Sequence, residues 1–207
     1  AQACRVIFSG LRASAVVFRQ NGKEKTARAR REVILSAGAL QSPQLLQLSG
    51  IGDAARLKEL GNSPLVDRPS VGQNLQDHLQ IRVIHQCNQP LTTNDDMRSF
   101  SRKLSMGMKY LFKRAGPMAV GINEAGAFIR TDPAVDRPDI QFHFAALSAD
   151  LPGAPLHEFP GFTSSVCQLR LTSRGYLTIN SADPMARPEI HPGYLSTEHD
   201  RRTVVAA

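Results

Sequence analysis

Arg31–Gly52 reads REVILSAGALQSPQLLQLSGIG. Glu32–Leu35 is a brief, near-continuous apolar run, the pattern of a strand buried on both faces. Ser36-Ala37-Gly38-Ala39 then turns the chain, and side chains this small let a backbone come close to a ligand or to another element. Ser42-Pro43 has the form of a helix start, with Ser as N-cap and Pro at the first helical position. Gln44–Leu48 supplies the helix body and Ser49-Gly50 its end.

The flanking sequence extends this unit into a mixed α+β chain. Residues 5–8 and 15–19 are short β-branched and aromatic runs separated by Gly10. Asn21-Gly22 is a two-residue hairpin signal, and Lys25–Arg30 is expected to complete an antiparallel meander. Asp53 starts a further helix that runs to Leu60 and stops at Gly61. Pro64–Gly72 is irregular, and alternation resumes at 79–87, so a domain boundary is expected near Leu79, with 1–78 before it and 79–207 after it. Thr92–Arg114 has helical spacing of Phe100, Leu104, Met108, Leu111 and Phe112, ended by Gly116-Pro117. Strands are expected at 124–130, 139–147, 163–171 and 175–181, a loop at Asp150–Pro160, and a last helix from Thr197.

Composition excludes several classes. No apolar run approaches the 18 residues of a membrane span, and the N-terminal stretch, interrupted by Arg5 and Arg12, does not read as a signal peptide. Cys4, Cys87 and Cys167 are sparse and lack CxxC spacing, which points to reduced thiols and a cytoplasmic setting. The net charge of +7 is spread along the chain, there is no Trp, and no nucleic-acid module is legible, so nucleic acid is not an expected partner. The six histidines show neither HxxxH nor HExxH spacing, so no metal site is expected. Gly50-Ile51-Gly52-Asp53-Ala54-Ala55 matches GxGxxA, the dinucleotide fingerprint. That fingerprint needs a strand before it; a helix precedes it here, so these glycines read as a helix end.

Gly38, Ser42-Pro43, Leu45-Leu46 and Ser49-Gly50-Ile51-Gly52 together resemble a signature of the glucose–methanol–choline (GMC) family of FAD-dependent oxidoreductases. Val71–His78 (VGQNLQDH), Pro138–Phe144 (PDIQFHF), Ser173–Pro184 (SRGYLTINSADP), Pro188-Glu189-Ile190, Tyr194-Leu195-Ser196 and Asp200 extend the resemblance over nearly the whole chain, most closely to the choline-dehydrogenase-like branch. The resemblance implies oxidation of a small-molecule alcohol with hydride transfer to FAD. It also implies a partial flavin domain followed by an antiparallel-sheet substrate domain with helices on one face. Ser36, Ala37 and Gly38 would then lie against the ADP half of FAD. Ala3 would offer its backbone to adenine, at a position where the family usually has Val.

Glu124, in NEAGAF, matches the Glu of the family's EAGGF segment. It is either a ligand for a cationic substrate such as choline or a paired structural carboxylate. His143 alternates with Phe142 and Phe144 and so points away from both, toward the substrate cavity, the helical side or solvent. Asp77 and His78 are expected to make structural hydrogen bonds at the domain junction. None of the histidines sits in the family's catalytic context, so no catalytic residue is assigned. The family's dinucleotide fingerprint is expected upstream of residue 1, so this chain alone is expected to hold little FAD and to expose apolar surface that permits self-association. The alternative is a non-catalytic binding module that kept the substrate-domain fold.

Overall fold

The computed structural model describes Ala1–Ala207. In chain order the elements are β1 (Gln2–Ser9), β2 (Arg12–Gln20), β3 (Lys23–Arg28), α1 (Gly38–Leu48), β4 (Ile51–Gly52), α2 (Ala54–Glu59), β5 (Val66–Asp67), β6 (Gln73–Leu75) and β7 (Gln80–Gln86). Then come α3 (Thr93–Arg98), α4 (Phe100–Lys113), a 3-10 turn (Pro117–Ala119), β8 (Ala125–Ile129), β9 (Ile140–Ala145), β10 (Gly161–Gln168), β11 (Gly175–Thr178), β12 (Glu189–His191) and α5 (Glu198–Ala206). The fold is mixed α+β, dominated by antiparallel sheets.

The chain divides into two units: Ala1–Asp77 with Ser173–Ser196, and His78–Thr172 with Thr197–Ala207. The first holds the meander β1-β2-β3, whose β2–β3 turn is Asn21-Gly22, the small sheet β12-β11-β6 and the parallel pair β4-β5. Residues 173–196 belong to it, rather than to the unit that begins near Leu79, because β11 pairs with β6 and buries Leu177 and Ile179. The buried Gln47 amide on α1 reinforces the join. It donates to the Val71 and Leu177 carbonyls at 3.2 and 3.4 Å and accepts the Ile179 N–H at 2.8 Å. Alternation marks 175–181 as strand-like but carries no information about which strand it will join.

Three local expectations are corrected. Glu32–Leu35 is irregular rather than a strand, and Ile34 is 76% exposed. An apolar run becomes a buried strand only where neighbours take its N–H and C=O groups, and no strand of this chain pairs with it. The helix begins at Gly38, not Ser42, so Pro43 lies inside it. The Ser42 hydroxyl instead accepts the Ala37 N–H at 3.0 Å, one of the donors a helix start leaves without an intrahelical partner. Thr92–Arg114 is two helices, because Ser99 adopts an extended conformation (φ −95°, ψ 122°) and its hydroxyl caps α4.

The second unit is the four-stranded antiparallel sheet β7-β10-β9-β8. Thr163, Ser165 and Cys167 of β10 are buried on one face, and α5 packs against this strand. The register puts Ile81, Val83 and His85, Phe162 and Val166, and Phe142 and Phe144 on the other face. There Ile81, Val83 and Phe144 stay exposed. Asp139, at the entry to β9, accepts the Thr131 N–H at 2.8 Å and the Thr131 hydroxyl at 2.5 Å. Asp200 accepts from Gln168 Nε2 (3.1 Å), Thr172 N–H (2.8 Å) and the Thr172 hydroxyl (3.0 Å), which ties α5 to the end of β10.

Two predictions follow from these buried polar groups. Gln47→Leu keeps the volume but leaves a buried N–H and two carbonyls without partners, so it should cost about 2–3 kcal/mol in urea unfolding of the first unit; an unchanged midpoint would contradict the role given to the amide. Burial pushes the Asp139 carboxyl up, but the Thr131 hydroxyl and N–H outweigh it and hold it below the usual carboxylate range. A carboxyl depressed in the folded state stabilises at pH values above its unfolded pKa, and that stabilisation is lost as pH falls through the folded pKa. Thr131→Val should therefore lower stability at neutral pH and weaken its fall below about pH 4, read by thermal melts across pH.

Candidate functional site

β1 is an edge strand, and its free side meets α1. The Val6 N–H donates to the Ser49 hydroxyl at 2.8 Å, and that hydroxyl donates to the Leu45 carbonyl at 2.5 Å, so the helix end is latched to the strand. Along α1, Ala37, Gln41, Gln44, Leu45 and Leu48 recur at three- and four-residue spacing and share one face. With Ala1, Gln2, Ala3 and Pro184 they enclose a cleft of about 340 Å³. Gln2 Nε2 donates to the Pro184 carbonyl and Gln44 Nε2 to the Ala186 carbonyl, each at 3.0 Å, fixing the rim.

The cleft brings Ala3 and Ala37 together across 34 residues of sequence, whereas Ser36 and Gly38 flank it without lining it. The helix stripe Gln41, Gln44 and Leu48 was legible in the residue spacing, but an expected helix start at Ser42 hid it. No charged side chain lines the cleft. Its small side chains, edge-strand backbone and three amides (Gln2, Gln41 and Gln44) suit a flat, uncharged, hydrogen-bonding ring, and no cationic side chain is there for a phosphate.

Gly38 and Gly50 bracket α1 for different reasons. Gly38 has φ +84° with nothing within 4 Å of an added Cβ, so conformation, not tight packing, requires it. Gly50 has φ +85°, and a Cβ there would meet the Ser63 carbonyl oxygen at 2.7 Å. Its N–H returns to the Gln47 carbonyl at 3.0 Å, so Gly50 ends a helix and cradles no phosphate.

Glu124 and His143 lie in the second unit. The Glu124 N–H donates to the Phe144 carbonyl at 2.9 Å just before β8, while its side chain is exposed and has no hydrogen bond or ion pair. Within this chain no group pairs with that carboxylate. His143 stands in a cross-strand row with Arg82, Ser165 and Gly126, opposite Phe142 and Phe144. No bond joins the two candidates. Asp77 accepts the Tyr194 hydroxyl, which raises the Tyr194 pKa and closes a contact within the first unit.

One cluster resembles nucleophilic machinery. His157 Nδ1 lies 3.1 Å from Ser148 Oγ, and its Nε2 lies 3.1 Å from Asp150. Ser148 is fully buried, and Asn94 Nδ2 donates to its hydroxyl at 3.0 Å and to the Ser148, His157 and Phe159 carbonyls. A sealed hydroxyl cannot attack a substrate, so this network holds the 148–159 loop in place. Burial also pushes the Cys167 thiol up, away from the reactive thiolate.

GMC oxidoreductase family profiles match residues 1–80 and 172–207, together more than half of the chain. Choline dehydrogenase, mitochondrial, of Homo sapiens is 44% identical over 196 residues, covering 95% of this chain and 33% of that protein. Oxygen-dependent choline dehydrogenase of Staphylococcus xylosus is 40% identical over 200 residues, 97% of this chain and 35% of that protein. Among solved structures, a formate oxidase variant of Aspergillus oryzae RIB40 superposes with a TM-score of 0.85 at 26% identity, over 99% of this chain and 40% of that one. Pyridoxine 4-oxidase of Mesorbium loti superposes with a TM-score of 0.75 at 26% identity, over 99% and 36%. The chain belongs to the GMC oxidoreductase family and spans about a third of the length of the curated relatives it matches.

The glycine assignments predict an order of stability. Gly38→Ala should cost about 1–2 kcal/mol through its backbone alone, and Gly50→Ala more, because a displaced Ser63 carbonyl adds to the same strain. Thermal melts giving the reverse order would contradict the assignment.

Proposed function

We propose that this chain is part of an FAD-dependent oxidoreductase acting on the CH–OH group of a small alcohol. The observation that carries the reading is the cleft between the edge of β1 and α1, where Ala3 and Ala37 meet. Its neutral lining fits the adenine end of FAD, with the Ala3 backbone as hydrogen-bonding partner and Gln41 and Gln44 as neighbouring amides. Ser36 and Gly38 flank the same turn and would border the rest of the ADP half. When bound, the flavin would accept hydride; the residues of this chain hold and orient the cofactor's far end. The first unit reads as part of a flavin domain, including 173–196, and the second as part of a substrate domain.

Within the second unit, Glu124 is the stronger substrate candidate. An exposed, unpaired carboxylate can attract a quaternary ammonium group, and the relatives named as choline dehydrogenases support a cationic alcohol. His143 is a weaker one, because it faces away from the open apolar side of the sheet. That open side, with Ile81, Val83 and Phe144, is the surface for any self-association. A cytoplasmic location belongs to the same reading through the three free thiols. No helix is long and apolar enough to cross a membrane, and the human relative is named as mitochondrial.

The test uses the complete gene product. It should purify with a flavin absorption band and reduce a dye in the presence of choline or another small alcohol, whereas the 207-residue chain alone should retain little flavin. Ala37→Phe, which fills the cleft from an exposed position, should lower flavin retention with the circular dichroism unchanged. Full retention in that variant would refute the cleft assignment, and a colourless complete product would refute the function.

A further inference from the structure

The cleft between β1 and α1 has a third side, supplied from far along the chain. Residues 179–188 join β11 to β12, and Pro184 of this connection lines the cleft. The tip of the connection is a β-turn over Asp183–Ala186, closed by the Ala186 N–H donating to the Asp183 carbonyl at 3.1 Å. Pro184 takes the turn position for which its fixed φ is suited. The Asp183 carboxylate accepts the Met185 N–H at 2.9 Å, and the Ser181 hydroxyl accepts the Asp183 N–H at 3.0 Å. These bonds all lie within 181–186, so the turn holds its shape without help from either wall of the cleft. Exposure alternates along it: Pro184 and Ala186 are half-buried, Asp183 and Met185 exposed.

Two side chains tie this turn to the cleft, one from each wall. Gln44 of α1 donates to the Ala186 carbonyl in a half-buried setting, and Gln2 of β1 donates to the Pro184 carbonyl in an exposed one. A neutral hydrogen bond exchanged against water stabilises only modestly, and it is stronger where water is kept from it. Behind the turn the stem is fixed, because Ile179 is buried and its N–H is held by Gln47. Asn180, the next residue, is exposed. The tip is therefore stiff, its base is anchored, and two amides hold it against the cleft.

We propose that the Asp183–Ala186 turn is a clasp over the adenine end of FAD, with Gln44 and Gln2 as positioning residues that latch it, and that the latch sets the rate at which the cofactor enters and leaves. The inference rests on the reading of the cleft as the adenine site. The latch bonds join protein groups only, so weakening them speeds uptake and release alike and leaves the affinity little changed. A lost contact with the cofactor itself would speed release alone. The test is FAD uptake by, and release from, the complete gene product, followed by flavin fluorescence. Gln44→Leu should speed both by about fivefold, and Gln2→Leu by less, because water already competes for that bond. Asp183 does not line the cleft, so Asp183→Ala, which loosens the turn, should speed both without removing a cofactor contact. Asp183→Asn, whose side-chain oxygen accepts the same N–H, should return the parent rates. Parent rates in Gln44→Leu and Asp183→Ala, even with a lowered melting temperature, would overturn the clasp; if Ala37→Phe still lowers flavin retention, the adenine site stands. Faster release with unchanged uptake would overturn the clasp as well. Full flavin retention in Ala37→Phe would remove the adenine site and the clasp with it.

Discussion

A single buried amide organises the first unit. Gln47 must be a donor to two carbonyls and an acceptor for one N–H, and only a carboxamide can do both at once. Through it α1 is joined to the Val71 turn and to the strand at Leu177–Ile179, which is how a segment over a hundred residues later enters the same unit. The helix carries the stripe that lines the cleft, so the cleft depends on the amide although Gln47 does not line it. Leaving such groups unpaired in a buried setting costs more than the bonds return when made, which makes the join specific.

The acidic residues of the recurrent motifs work in the same way. Asp77 receives Tyr194, Asp139 receives Thr131, and Asp200 receives Gln168 and Thr172. Each carboxylate closes a contact within its own unit: Asp77 and Asp200 onto segments distant in sequence, Asp139 across the short β8–β9 connection. The acidic residues of NLQDH, PDIQFHF and the SRG…YLS…D passage thus mark fold-holding contacts, whereas Ala37 of the turn before α1 and Pro184 of the SADP stretch border the candidate cleft. A family signature can identify the fold securely while most of its residues serve packing.

Elements with local signals were legible from the residues. The meander follows from Asn21-Gly22 and the flanking alternation, α2 from the Asp53 cap, and the helix end from Gly50. Ala37 was legible in the small-residue turn before α1, whereas Ala3 was named only through the family resemblance. What failed depended on partners. Glu32–Leu35 has the composition of a buried strand without a neighbouring strand to pair with. Ser99 breaks a helix whose apolar spacing runs straight across it, and the return of 173–196 depends on a pairing partner that periodicity does not encode. The outward-facing stripe of α4 belongs to the same class, since spacing shows that a helix has an apolar face but not what covers it.

The central claim is that the cleft between β1 and α1 receives the adenine of FAD. A crystal structure of the complete gene product grown with FAD tests it most directly. The adenine ring is expected in the cleft, between Ala37 and Pro184, within hydrogen-bonding distance of the Ala3 backbone. Adenine bound elsewhere, with protein side chains or solvent filling the cleft, would contradict it.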